Sequence, residues 1–494
     1  MKKIVVLLLA IVVVAIVWMR LSSRPSNHVV EATPALPTGP VGPIPREFFG
    51  MHINRVSTPW PSVPFGSLRM LGNETTWRHL EGKGRNQYDW TPLDRWLSAA
   101  REHNVDVMYT FANTPQWAAA ERPGACGRRD DTTDCSVPKD LSVSAACQGP
   151  LAGTTTTGCM YKEFVVSLMD HVCTGDTPHK KCQITAYSCW NEPNLDGFWH
   201  GTYAQSAQQC SDMVKIVKDR CQDCVTLTPD VSAATLGDTK ANGDSRSYDE
   251  WFKRFLEAYK KFGNYPDVVA FHLYVARTYG LNPVPFPETF EGSDCPNGGQ
   301  SDACPATIPE RVAQFRDFAD KGGMSGAPLW DTEGGWGTNQ GLMDKEAQPA
   351  FVARWLILQA SSGVARAYWY MWEYAGEPRG WGGLWSDRSG TTPAGVAYGQ
   401  VYTWLTGATF TKPCASESQS KVWSCEISRP DGSHGLIVWD TSRTYDHGDT
   451  EKYSVGNRFS QYRDLSGKKN PVQGGTVPIG PKPVLLEAAA QPNQ

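Results

Sequence analysis

The sequence predicts an α/β chain: a (β/α)8 TIM barrel with a C-terminal all-β, sandwich-like domain. Three observations predict it. Eight short apolar runs recur through the first four-fifths of the chain with helical patterns between most of them. Strands that alternate with helices pair in parallel. The helical signal then stops after Gly407, and short strands split by Gly and Pro take over.

Bulk composition sets the frame. The chain has 494 residues, 40% hydrophobic and 20% charged, values of a folded globular protein. A net charge of -4 gives no reason to expect nucleic acid as a partner. Nineteen Trp residues are many, and Trp faces stack on sugar rings as well as in cores.

The N-terminus carries Lys2 and Lys3, then the apolar residues 4–19, then Arg20. This reads as a signal peptide or a membrane anchor over 1–21, and either one places the remainder of the chain outside the cytoplasm. Residues 22–45 are a linker containing Pro25, Pro34, Pro37, Pro40, Pro43 and Pro45, and part of it is available to add an edge strand to a later domain. Fourteen cysteines agree with an oxidising compartment. Near neighbours suggest local bridges within Cys126/Cys135, Cys147/Cys159, Cys173/Cys182, Cys295/Cys304 and Cys414/Cys425, although spacing does not fix connectivity. Cys221 and Cys224 form a CxxC that lacks a second CxxC, so a metal role is not expected. Cys189 reads as a buried free thiol.

The barrel is expected over 46–406. Its strands are predicted at 48–53, 67–71, 105–111, 184–190, 225–228, 268–274, 328–332 and 365–371. Helices are predicted at 92–103, 248–262 and 348–361, where apolar residues fall at helical spacing. A long cysteine-bearing loop, 114–158, follows strand three and is placed to rim a site. The all-β domain is expected over 407–490, with strands at 422–428, 435–440, 461–465, 476–479 and 483–486.

In a barrel, side chains at strand C-termini converge on one pocket. Strand one brings His52 and strand two Arg69. Strand three leads to Asn113 and Trp117. Strand four gives Asn191 and Glu192, and strand six gives His272 and Tyr274. Strand seven gives Glu333, followed by Trp336. Strand eight ends at Trp372 and Glu373. So many polar and aromatic strand ends would be costly as core. They suit a sugar pocket, and two strand-end glutamates are what glycoside hydrolysis requires. Asp331, two residues before Glu333 and read as on the same strand face, and Glu373 are the alternatives to Glu333. Arg69 is the available cation for Glu333, and Tyr274 is placed to donate to it.

The string Trp190-Asn191-Glu192-Pro193-Asn194 on strand four, His272-Leu273-Tyr274 on strand six, Thr332-Glu333 on strand seven and a Trp on strand eight resemble clan A glycoside hydrolases. Residues 188–199 resemble family 39 most. The resemblance implies a barrel plus a β-sandwich. It implies Glu192 as acid/base, Glu333 as nucleophile, a retaining O-glycosidase, an oligosaccharide or polysaccharide substrate, and neither metal nor organic cofactor. Asn191, His52, Arg69, Asn113, Trp117, His272, Tyr274, Trp336 and Trp372 are the expected substrate-binding set. Gly334-Gly335-Trp336 and the cysteine-rich loop depart from the family's β-xylosidases. Transglycosylation of envelope polysaccharide, or carbohydrate binding without catalysis, are the other readings the sequence allows.

Overall fold

The computed structural model describes residues 39–488, apart from residues 73, 241 and 246 and the segments 127–131, 142–158, 177–180, 234–239, 275–286, 289–306, 337–344, 374–381, 418–420 and 444–448. The expected signal or anchor segment, most of the expected linker, much of the loops 114–158 and 275–310, and Cys147, Cys295 and Cys304 therefore lie outside the described residues. Among the described residues no helix is long and apolar enough to cross a membrane.

Eight parallel strands form the barrel: β1 Phe49–His52, β2 Ser67–Met70, β3 Asp106–Thr110, β4 Ala186–Ser188, β5 Val225–Leu227, β6 Val269–Tyr274, β7 Leu329–Gly335 and β8 Val364–Trp369. The sheet runs β5-β4-β3-β2-β1-β8-β7-β6 and ends on the short strand Val231–Ser232. That short strand is the continuation of β5, so one stretch of chain touches both edges. Val225 pairs with Ala186 of β4, Leu227 bridges to Val268, and Ser232 pairs with His272 of β6. This stretch draws the two edges of the sheet together beneath the ends of β4 and β6.

Among the described residues, seven helices of twelve residues or more follow β2 to β8 in turn: α1 Thr91–Glu102, α2 Met160–Val172, α3 Tyr203–Arg220, α4 Tyr248–Tyr259, α5 Ile308–Lys321, α6 Ala347–Ser361 and α7 Pro393–Leu405, with one further turn of helix at Trp77–Leu80. Four of the starts carry a side-chain cap. Thr202 and Gln205 form a capping box on α3, Ser247 caps α4, Thr307 caps α5 and Thr392 caps α7, the last two with Pro in the first turn. Helix α6 is buried all round. One side faces the barrel, and the other is covered by the C-terminal strands.

Those strands are β9 Thr409–Ser416, β10 Val422–Ser428, β11 His434–Asp440, β12 Glu451–Ser454, β13 Gln461–Arg463, β14 Lys469–Pro471, β15 Thr476–Ile479 and β16 Val484–Glu487. Six form an antiparallel sheet in the order β9-β10-β11-β16-β13-β14, and β12 pairs with β15. Period-two alternation divides β11 between two cores. Ile437 and Trp439 join the barrel's core, while Leu436 and Val438 pack with Val477 and Ile479 of the smaller pair. Three of these C-terminal strands escape the sequence reading. β9 opens on Thr-Phe-Thr-Lys-Pro, and β12 and β14 are short and mostly solvated. Val41, from the proline-rich stretch, bridges antiparallel to Phe410 of β9.

Cysteines account for one difference from expectation. Cys126–Cys135, Cys173–Cys182 and Cys414–Cys425 are bridged, and the CxxC closes on itself as Cys221–Cys224. Cys189 is not a free thiol. It is bonded to Cys210 on α3, which packs over the end of β4. The partner sits one helical unit away in sequence, so spacing alone does not pair them.

Candidate active site

Arg69 is the hub. Its strand position points it into the barrel, where it has no exposed surface. Nη1 donates to Glu333 Oε2 at 2.7 Å. Nη2 donates to Asn191 Oδ1 and to Asp230 Oδ2, both at 2.8 Å, and lies 3.2 Å from His272 Nε2. Burial alone would lower its pKa, but the Asp230 and Glu333 carboxylates outweigh burial and hold it above its ordinary value. A planar fork spreads five donors over three nitrogens and so reaches acceptors on several strands, whereas a lysine presents its three N–H groups from a single nitrogen.

The Arg69 contact fixes two hydrogen assignments nearby. Nη2 has two hydrogens, directed at Asn191 and Asp230, so His272 Nε2 shares one of them as an acceptor, which favours a proton on Nδ1. Nδ1 then donates to Glu192 Oε1 at 2.9 Å, and it stands 3.8 Å from Glu333 Oε2. The same reasoning turns the Asn191 Oδ1 toward Arg69, so its amide nitrogen faces away from the guanidinium. Glu192 follows directly, at φ 39°, in the left-handed region that a residue with a Cβ seldom adopts. Its backbone N–H donates to Asp230 O at 2.8 Å. Asn194 locks the next turn, its amide bonding both the N–H and the carbonyl of Ser232.

Glu333 receives a second donor, the Tyr274 hydroxyl, at 2.5 Å from Oε1. Burial, then the Glu333 charge, push the Tyr274 pKa well above its ordinary value, so this hydroxyl keeps its proton. Glu333 lies inside β7, not after it. The register breaks between Asp331 and Glu333 against β6, and between Asp331 and Gly334 against β8. This bulge corrects the expectation that Asp331 shares a face with Glu333. Asp331 turns outward, accepting from Leu273 N and from Gln359 on α6. Thr332 and Glu333 both serve the interior. The glycine that departs from the β-xylosidase pattern has a steric reason. A Cβ on Gly334 would lie 2.5 Å from the Trp355 ring and 2.8 Å from Leu273 O.

One oxygen each of Glu192 and Glu333, and a ring nitrogen of His272, lie within 4.8 Å of one another. This donor set does not suit a cation. Arg69 and Tyr274 already donate to Glu333, and the His272 nitrogen facing Glu192 carries a proton. The guanidinium supplies the positive charge.

Other expected residues fall into two groups. His52 stands beside the site with its Nε2 on Leu71 O and its ring against Tyr370. Burial, then Arg69, lower its pKa to about 3, so it is neutral. Asn113 is half-buried at φ 64° after β3, its carbonyl accepting from Arg78 N. Trp117 leans on Trp77 and donates to Glu81 O. Trp336 and Trp372 are not open platforms. Trp336 has no exposed surface and packs in the helix layer on Phe351 and Trp369. Trp372 is buried, with its N–H on His52 O and its indole nitrogen on Pro59 O. The alternation of β8 sends Trp369 outward, so Tyr370 is the aromatic that meets His52.

Sequence reasoning missed Asp230 and Tyr370. Asp230 ends the Thr228-Pro229-Asp230 corner, which reads locally as a turn. Its fully buried carboxylate accepts from Arg69, Thr110 and Thr332.

The chain matches no family model and no curated protein. It does match solved structures over most of its length. A family 39 glycoside hydrolase from Bacteroides cellulosilyticus aligns with a TM-score of 0.59 at 16% identity, covering 90% of this chain and 81% of the other. A monomeric β-xylosidase from Caulobacter crescentus aligns at 0.56 and 16% identity, over 92% and 98%. A family 44 xyloglucanase from Paenibacillus polymyxa aligns at 0.57 and 13% identity, over 92% and 99%. The barrel with its appended β-sheet is the fold of these glycoside hydrolases.

Proposed function

We propose that the protein is an exported, retaining glycoside hydrolase acting on O-glycosidic bonds of oligo- or polysaccharides. The observation that carries this reading is the approach of Glu192 and Glu333 to within 4.8 Å, oxygen to oxygen. Retaining enzymes hold their two carboxyls about 5–5.5 Å apart, and inverting ones leave roughly 6.5–9.5 Å for a water. An oxygen pair this close supports the shorter, retaining spacing.

Glu333, oriented by Arg69 and Tyr274, attacks the anomeric carbon. Glu192 gives its proton to the departing oxygen. A glycosyl ester on Glu333 results. Water, deprotonated by Glu192, then attacks that carbon, and Glu333 leaves as the carboxylate. Asn191, its oxygen engaged by Arg69, turns its amide nitrogen to a substrate hydroxyl. Five disulfides among the described residues favour an oxidising, exported compartment.

The test is the stereochemistry of turnover. An aryl glycoside panel identifies a cleaved sugar, and proton NMR then follows the first-formed anomer. Retention of configuration is expected. Inversion, or full activity in Glu192→Ala, would refute the mechanism.

A further inference from the structure

Asp230 touches both halves of the glutamate pair. Its backbone carbonyl accepts from Glu192 N at 2.8 Å, and its own N–H donates to Trp190 O at 2.9 Å. Its carboxylate accepts from Arg69, which in turn grips Glu333. Main chain on one side and cation on the other thus tie a single residue to both glutamates. We propose that Asp230 is the positioning residue that sets Glu192 and Glu333 relative to each other. This rests on the reading of those two glutamates as the catalytic pair.

The physical case is one of cost and geometry. Asp230 has no exposed surface, and burying a carboxylate is expensive unless it is paired and hydrogen-bonded. Both oxygens are served. Oδ2 takes Arg69 and Thr110 Oγ1, at 2.8 and 3.2 Å, and Oδ1 takes Thr332 Oγ1 at 3.0 Å. Those donors come from β2, β3 and β7, so the carboxylate ties three strands at the level of the site. Thr332 is also the residue before Glu333. Asp230 therefore reaches the nucleophile by two routes, through Arg69 and along β7. It also balances the guanidinium. Without it, Arg69 would bear on Glu333 alone of these two carboxylates and would hold it back from attack.

The test uses the full-length enzyme and Asp230→Asn, which keeps shape and removes charge. Active sites are counted by trapping with a 2-deoxy-2-fluoro glycoside of the cleaved sugar. We expect kcat per trapped site to fall about a hundredfold with little change in KM. The fall should be the same for aryl and alkyl leaving groups, because attack by Glu333 is impaired. A purely structural role would lower the number of sites that trap and leave kcat per site intact, and that result overturns the proposal. Should the Asn variant not fold, Thr110→Val and Thr332→Val each remove one donor to Asp230. Both are expected to lower kcat per site severalfold, and unchanged kcat in both overturns the proposal. Peptide mapping of the trapped wild-type enzyme separates the two levels. A label on Glu333 upholds the glutamate assignment whatever Asp230 does. A label elsewhere removes the assignment and the proposal together.

Discussion

Arg69 on β2 and Glu333 on β7 are joined by a 2.7 Å ion pair, Nη1 to Oε2, with the arginine wholly buried. The same side chain reaches Asn191 and Asp230 with Nη2. Lysine at this position keeps the charge, but its three N–H groups radiate from one nitrogen and do not match acceptors spaced for the two ends of a guanidinium fork. Arg69→Lys is expected to lower kcat/KM about a hundredfold or more, because small displacements of a reacting group cost that much. Steady-state kinetics on the cleaved aryl glycoside check this. Activity within about threefold of wild type would show that the fork is dispensable.

The legible part of this site is what a strand end shows by itself. Glu192 stands in a distinctive string, and Glu333 closes an apolar run, so both can be read from the chain along with Arg69, His272 and Tyr274. The rest depends on geometry that no local pattern encodes. Asp230 matters because the chain after β5 crosses to the far edge of the sheet. Asp331 misleads because a bulge cancels the two-residue period at that point. Trp336 and Trp372 mislead because an aromatic after a strand can face the pocket or the helix layer with equal ease. Fold class is easier, since eight apolar runs repeat one signal, whereas β12 and β14 are short and largely open to water, and β9, eight residues long, carries few apolar ones.

The proton on His272 is a separate prediction. Its contact with Arg69 requires Nε2 to accept, and Glu192 is then the recipient of the Nδ1 proton. Histidine-selective nitrogen-15 NMR of the resting enzyme should give an Nδ1–H tautomer for the resonance that is lost in His272→Gln. An Nε2–H pattern there would contradict the hydrogen-bond chain from Arg69 to Glu192.

Glu373 should leave a mark on stability. Burial raises its pKa from 4.5 to about 7, against the smaller opposing effects of backbone N–H groups and Arg55. Its side chain is 1% exposed. The folded protein therefore keeps this proton to a higher pH than the unfolded chain does. Wild-type stability relative to Glu373→Gln is greatest below about pH 4.5, declines as pH rises toward 7, and is level above that. At 1.36 kcal/mol per unit the decline amounts to about 3 kcal/mol. Urea unfolding of both proteins at intervals from about pH 4.5 to 8 measures it. A difference that stays flat, or grows with pH, would be the wrong sign.

The Cys189–Cys210 bridge makes the last prediction, and it concerns the strand that carries Glu192. Both cysteines are buried, and the bond spans 21 residues between β4 and α3. Closing a loop of that length constrains the unfolded chain by about 3 kcal/mol. Cys189→Ala with Cys210→Ala should therefore lower the free energy of unfolding by about that amount, since alanine leaves little volume to fill. Beyond Cys189, three further restraints remain: Asn191 N on Phe111 O, Glu192 N on Asp230 O, and Asn194 on Ser232. These hold the turn at Glu192 without the sulfurs. The double variant should thus lose stability and keep its kcat per trapped site. A large loss of kcat at full folded fraction would mean that the bridge, and not the hydrogen bonds after it, holds Glu192 in its left-handed conformation.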